Sequence, residues 1–389
     1  MQRETKYIIE VLSDFIAGRK SNAPDEIDWD AIAAVSRTQQ IDGIVYSQCK
    51  SFLPPEQARR LEKGFQAAVI SYYERQSVAQ LLTEYFNAEQ IPYYYVKGLV
   101  IAAYYPVPEL RVMGDLDIVV HREDFLKIHG YLMKHGFQLD SNLEDREWQY
   151  YKNSLEYELH DRLIYSEMVN RPEFQPFFNC AWDYVRDGRL DVSFHFVYLL
   201  AHLYKHLLNS GVGFRSFLDV ALMAKSEPDL NWDWIKEALD ALGLAGFASV
   251  CFALIERWFR IGIPVRTEQI SQDFFEQATE QIFKNGAFGF DNEENRQNKV
   301  YHSIAGSHFK TGKMLSNCFK QLFPPYRIMK TLKYCSYLNG RPCLLPFAWA
   351  HRHWKFILEG KNHTDTLKDQ FITAEKLKDR NEYFRNWGV

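Results

Sequence analysis

The stretch Asp115-Leu-Asp117-Ile-Val-Val-His121 constrains this chain more than any other. It alternates and is β-branched, which predicts a strand over 115–121. Side chains in a strand alternate with period two, so Asp115 and Asp117 share one face while Leu116 and Ile118 point into a core. Two carboxylates on one face of a buried strand repel each other unless a cation sits between them. Hard oxygen ligands of this kind suit Mg²⁺ or Mn²⁺. A bare Asp-x-Asp also occurs at solvated strand ends, so the flanking sequence has to decide.

Upstream, IPYYYVKG reads as a short strand that ends in Lys97-Gly98, and LVIAAYY after it reads as a helix. A glycine where a strand turns into a helix lets phosphate approach the backbone N–H groups, and the helix N-terminus favours the anion. Downstream, REDFLKIHGYLMKHG has helical spacing with Gly136 as its C-terminal stop. SLEYELHDRLIY predicts a strand over 154–165 that supplies a third carboxylate. Glu158 is the candidate; Glu156 shares its face and is the rival, and His160 lies on the same face.

This alternation of helix and strand is an α/β core set between helical stretches. Residues 1–90 read as helical, with Pro54-Pro55 opening a long helix that runs to about Glu89. Four helical patterns follow from Val192 to Gly262, separated by Gly and Pro breaks. Residues 265–305 look helical and acidic, with a polar loop over 285–298. Aromatic residues make up 15% of the 389-residue chain, enough for a sizeable core, and the length suggests two or three domains. The net charge of −4 excludes a uniformly basic nucleic-acid coat. No apolar run approaches the roughly 20 residues of a membrane helix. The first helix mixes both charge signs without an apolar signal core, and Cys49, Cys180, Cys251, Cys318, Cys335 and Cys343 form no CxxC pair. Reduced thiols in a cytoplasmic protein are the expectation.

On the first helix after the core, His202, Lys205 and His206 are three and four apart and therefore neighbours. Arg215 and Asp219 repeat that geometry on the next helix. The arrangement reads either as a cationic wall over an anionic ligand or as a helix–helix hydrogen-bond network. Zinc is disfavoured because no Glu completes an HExxH. Further on, residues 306–358 contain nine Lys or Arg and no Asp or Glu, interleaved with Phe, Tyr and Trp. Such a tract suits an anionic acceptor such as RNA, an anionic membrane surface, or the acidic helices of the same chain. Gly306-Ser-His-Phe-Lys-Thr-Gly312-Lys313-Met has the wrong spacing for a Walker A loop.

Taken in order, VKGLVIAAYY (96–105), LRVMGDLDIVV (110–120), LEYELHDRL (155–163), CAWDYVRDGRLDVSFHFVYLLAHLYKHL (180–207) and GFRSFLDVALM (213–223) resemble the nucleotidyltransferase superfamily of DNA polymerase β. The likeness is to its branch of uncharacterised bacterial nucleotidyltransferases with a helical companion domain, over about residues 30–265. The superfamily's usual Gly-Gly or Gly-Ser is Lys97-Gly98 here, and the stretch from Gly98 to Asp115 is long. The resemblance implies an α+β fold: a polymerase β-like core with a short mixed sheet, embedded in a largely helical chain. Its divisions would be 1–90 (helical), 91–190 (nucleotidyltransferase core), 191–264 (helical companion) and 265–389 (helical and basic). It implies two-metal transfer of NMP from an NTP to a hydroxyl of an unidentified acceptor, which could be RNA, protein or a small molecule. Asp115 and Asp117 would hold the Mg²⁺ that carries the triphosphate. Asp117 and Glu158 would hold the second ion, and Glu158 could take the acceptor's proton. Lys97, Gly98, Arg111, His202, Lys205, His206 and Arg215 would bind the nucleotide. The competing expectation is an inactive member of the same fold that acts as a binding module.

Overall fold

The computed structural model describes residues 1–142, 147–153, 155–165, 171–209, 211–265, 267–287, 323–330, 332–338, 340–358 and 382–389. These fall into two units, one formed by 1–207, 211–290 and 384–389, the other by 208–210 and 291–383.

The first unit begins with four helices, α1 (Arg3–Ile16), α2 (Trp29–Thr38), α3 (Asp42–Cys49) and α4 (Pro55–Ala88). Asp28 starts α2 by accepting from the N–H groups of Asp30 and Ala31, the standard role of an Asp at an N-cap. Pro55 starts α4 because a first-turn residue needs no N–H donor. The sheet elements follow: β1 (Tyr93–Val96), α5 (Gly98–Ala102), β2 (Asp117–Val120), α6 (Phe125–Lys134), β3 (Gln138–Asn142), β4 (Trp148–Lys152) and β5 (Leu155–His160). After α7 (Phe174–Asn179), β6 (Val185–Arg186) and β7 (Arg189–Leu190) complete it. The seven strands lie in the order β3-β4-β5-β2-β1-β7-β6, with β2 antiparallel to β1 and parallel to β5. This mixed sheet within a mainly helical chain is an α+β fold.

Alternation along β2 and β5 sorts their side chains between two layers. Ile118, Val120, Tyr157 and Leu159 join Leu82 and Phe86 of α4 and Phe125, Ile128 and Leu132 of α6 in one hydrophobic core. Asp117, Val119, Glu158 and His160 therefore point to the opposite face. That face meets α8 (Val192–Asn209), which is apolar almost all round and correspondingly buried. Asp191 accepts from the Phe194 N–H and starts it. Helices α9 (Phe214–Ser226), α10 (Trp232–Ala241), α11 (Ala245–Phe259) and α12 (Gln272–Asn285) complete the unit. Gln39 staples three of these elements together. Its amide donates to the carbonyls of Ile282 and Phe283 and accepts from the Phe214 N–H.

The strand expected over 115–121 is shorter, because the chain reaches it from a loop at 111–115 anchored elsewhere. Its ladder begins at Leu116, which bonds Glu156 and Glu158 of the neighbouring strand. The strand expected over 154–165 stops at His160. Beyond it, Asp161 takes the guanidinium of Arg162 through two hydrogen bonds, at 2.9 and 3.0 Å, and the chain bends. Residues 288–305 of the expected acidic helical stretch lie outside the described residues.

In the second unit, a single turn α13 (Tyr326–Met329) and the helix α14 (Leu345–Leu358) pack around Met329, Cys335, Leu338 and Ala348. Lys355 lies over the Tyr334 ring at 4.1 Å, while Phe347 and Trp354 are 69% and 68% exposed. Lys310, Lys313 and Lys320 of the expected acceptor tract lie outside the described residues.

The last residues belong to the first unit, where Trp387 is fully buried among Phe217, Phe247 and Phe274. Removing so large a ring from a closed aromatic cluster leaves a cavity. Trp387→Ala is expected to destabilise the first unit by about 3–5 kcal/mol. Urea unfolding followed by far-UV circular dichroism checks this; a loss below about 1 kcal/mol would show that the tail is not part of this core.

Candidate active site

Asp117 and Glu158 are direct register partners on the adjacent parallel strands β2 and β5. Side chains of registered partners stand side by side on the same face. Ligand atoms of Asp117, Glu158 and His160 all lie within 4.8 Å of one another. They sit against a cavity of about 290 Å³, whose wall includes Lys97, Gly98, Arg111, Asp115, Glu158, His160 and, from α8 and α9, His202, Lys205, His206 and Arg215. Of the residues singled out from the sequence, Lys97, Gly98, Arg111, Asp115, Glu158, His202, Lys205, His206 and Arg215 border this cavity, and Asp117 touches it through Lys97 and His160. The rival Glu156 is not among the residues lining it.

Asp117 is 1% exposed. Its Oδ1 lies 2.6 Å from Lys97 Nζ and 3.2 Å from His160 Nε2. The same imidazole nitrogen is 3.1 Å from Glu158 Oε2, and Gln149 donates to Glu158 Oε1 at 2.8 Å. Asp117 Oδ1 is thus met by an amine and an imidazole at close range, while its Oδ2 is buried without a hydrogen-bond partner. A buried carboxylate with one oxygen, Oδ2, left without a partner, next to a second carboxylate and an imidazole, forms a donor set that fits a divalent cation.

Burial and the surrounding charges separate the titrations of these groups. Burial raises Asp117, but Lys97 and His160 outweigh it and hold its carboxyl below the usual range. Glu158 is also lowered: burial raises it, and the His160 contact reverses the sign. Asp115 goes the other way, raised by burial and by the charge of Asp117. His160 is opposed by burial yet pushed up to about 9 by the two carboxylates that flank it. Two neighbouring acids with opposite shifts are a common mark of a reactive centre.

Three arginines hold the loop that delivers Asp115. Arg75 of α4 donates to the Gly114 carbonyl at 2.7 Å, and Arg215 of α9 donates to the Val112 carbonyl at 2.7 Å. Arg111 makes a two-pronged pair with Asp219 at 2.9 and 2.8 Å, and Tyr105 also donates to Asp219. Asp219 of α9 therefore faces Arg111 and Tyr105, the kind of cross-fold hydrogen-bond network that its spacing from Arg215 allowed, and Arg215 also donates to Gln40. Two nitrogens of Arg111 are thus committed to a buried carboxylate. On α8, His202 and His206 approach with their Nε2 atoms 3.3 Å apart. Both are kept neutral, primarily by burial, and burial brings Lys205 down to about 8.

Sequence reasoning missed His195. Lys97 adopts φ 52° and ψ −127°, a left-handed conformation that costs a non-glycine residue about 1–3 kcal/mol. His195 Nε2 accepts from the Lys97 N–H at 3.0 Å and so holds that conformation in place. Gly98 follows with φ +27°, a value that favours glycine. The helix α5 that these residues open has only five residues, so its dipole adds little to anion binding.

Residues 25–260 match the family described as uncharacterised nucleotidyltransferase. No curated protein matches the chain.

His195 is 2% exposed, and burial lowers its pKa to about 3 from 6.5. In the window between these values the unfolded chain holds a proton that the folded chain does not. Stability contributed by keeping His195 neutral is therefore present above pH 6.5 and lost as pH falls toward 3. The expected slope is about 1.4 kcal/mol per pH unit for this one group. Urea unfolding at pH 6.5, 5.5 and 4.5 should show His195→Gln with a pH slope shallower than the native chain by one proton; equal slopes would mean that His195 is not buried neutral.

Proposed function

We propose that this chain, which belongs to the uncharacterised nucleotidyltransferase family, transfers NMP from an NTP to a hydroxyl acceptor in a reaction that depends on divalent metal. The observation that carries this reading is the in-register pair Asp117 and Glu158 beside His160, with the Asp117 carboxylate buried and its Oδ2 without a hydrogen-bond partner, at a cavity lined with cations.

Asp115 and Asp117 would hold the Mg²⁺ or Mn²⁺ that carries the triphosphate, and Asp117 and Glu158 a second ion. Bound there, such ions supply the positive charge that phosphoryl oxygens and a forming alkoxide require. The rest is done by the chain's own groups. Lys97, Lys205 and Arg215 face the same cavity and offer positive charge to the phosphates. Arg111 keeps the loop before Asp115 in place through Asp219, and Gln149 orients Glu158. The acceptor oxygen forms a bond to the α-phosphorus, the bond from that phosphorus to the β-bridging oxygen breaks, and pyrophosphate leaves. The hydroxyl proton passes to Glu158. A polyanionic acceptor such as RNA is the partner that suits the second unit, where Arg341, Arg352 and Lys355 accompany the exposed Phe347 and Trp354.

Thermal melts with each of the four NTPs, with and without Mg²⁺, test the reading. At least one NTP is expected to raise the melting temperature only when Mg²⁺ is present, and Asp117→Ala should lose that shift while staying folded. A metal-independent shift that survives in Asp117→Ala would instead mark a binding module without transfer chemistry.

A further inference from the structure

Lys97 combines three features that do not ordinarily occur in one residue. Its backbone takes the left-handed conformation usual for the first central residue of a type II′ turn, a place normally filled by glycine. That backbone is fixed from outside its own segment by a buried imidazole, His195, 98 residues away in sequence. Its amine lies 2.6 Å from the buried Oδ1 of Asp117, on the side chain that the donor set for a divalent ion shares. Glycine would satisfy the turn without strain, so the backbone gains nothing from a lysine there. What the lysine adds is an ammonium group on a flexible stem that reaches the floor of the cavity.

The amine and a metal ion compete for the same carboxylate. An ammonium group at 2.6 Å neutralises much of the charge that would attract a cation, and it repels a divalent ion brought within a few ångströms. Without Lys97, Asp117, Glu158 and Asp115 would be balanced in this cluster chiefly by His160. The same cavity is where the phosphates of a nucleotide would lie, and a four-carbon stem lets the amine turn from carboxylate to phosphate without moving the backbone that His195 holds.

We propose that Lys97 is the resident counter-ion of Asp117, that a divalent metal must displace its amine to bind, and that the displaced amine then holds the phosphates of the nucleotide. The proposal rests on the nucleotidyltransferase reading above. It makes metal and phosphate reciprocal partners: each frees a group that the other needs, so each raises the affinity for the other. In the metal-free state Lys97 also keeps a buried carboxylate from standing alone.

The test uses the full chain and needs no turnover. Mn²⁺ alone is titrated, with electron paramagnetic resonance reporting the free ion, into the native protein, Lys97→Met, Lys97→Gly and Lys205→Met. Lys97→Met removes the charge and keeps the stem. Lys97→Gly also relieves the backbone, so at least one variant is expected to fold, with circular dichroism as the check. Mn²⁺ should bind both Lys97 variants at least 10-fold more tightly than the native protein. Lys205→Met, which removes a cavity cation carried by α8 and leaves the Lys97–Asp117 pair intact, should gain less than 3-fold. In the second arm, the preformed complex of Mn²⁺ with inorganic tripolyphosphate should bind Lys97→Met at least 10-fold more weakly than the native chain. Equal Mn²⁺ affinity in the native protein and the Lys97 variants, or an equal gain in Lys205→Met, overturns displacement. Unchanged binding of the tripolyphosphate complex overturns the transfer to phosphate. If no protein binds Mn²⁺ in either arm, the metal-dependent reading falls together with this one.

Discussion

A carboxylate buried in the middle of a sheet is expensive to ionise, and Asp117 is the group to which the surrounding structure answers. Its burial follows from topology: β2 is covered by α4 and α6 on one side and by α8 on the other, and all four of its residues are buried. Water cannot solvate the charge there, so the protein supplies Lys97 Nζ and His160 Nε2. Each of these needs support in turn. Lys97 reaches Asp117 only from a left-handed backbone held by His195, and His160 is placed by the strand period that also places Glu158. A carboxylate at the surface would need none of these partners. Keeping it buried and ionised gives a site whose field is strong because the medium around it is poor in water.

The arginines extend the same logic outward. The loop from Arg111 to Asp115 has no strand or helix to hold it over most of its length, so its position comes from side chains on other elements. Arg75 and Arg215 each take one of its carbonyls, and Arg111 anchors itself on Asp219. Buried ion pairs of this sort contribute little net stability compared with apolar packing, but removing one partner leaves a charge without compensation. Their effect here is positional: they fix where Asp115 enters the cavity, beside an aspartate with which it cannot readily share full ionisation.

The parts of this architecture that sequence made legible are those that depend on a short period. Asp115 and Asp117 stood out because β-branched residues alternate around them, and Glu158 because LEYELH alternates too. The helices after Val192 were legible from their apolar spacing, and four of them lie where that spacing puts them. The strands β3 and β4 escaped notice because QLDSN is polar and WQYYK has no clean alternation. β6 and β7, with two residues each, are too short to carry a pattern. His195 was hidden because a histidine within an apolar helix reads as core, and nothing local announces a bond to a residue 98 positions earlier. Asp219 was left open for the same reason: its spacing from Arg215 fits a cationic wall or a helix–helix network equally, and nothing local points to its partner Arg111 from across the fold. Period reports local geometry, whereas partner choice for buried charge is settled by tertiary packing.

The central claim is that Asp117 and Glu158 form the floor of a metal site that carries nucleotide phosphates. Crystals grown with Mn²⁺ and a non-hydrolysable α,β-methylene NTP, with data collected near the manganese absorption edge, test it most directly. An anomalous peak is expected in contact with the Asp117 carboxylate, with Lys97 Nζ moved from Asp117 onto a phosphate oxygen. Nucleotide bound in this cavity with no anomalous peak at Asp117, and Lys97 still paired to it, would mean that Asp117 holds no metal.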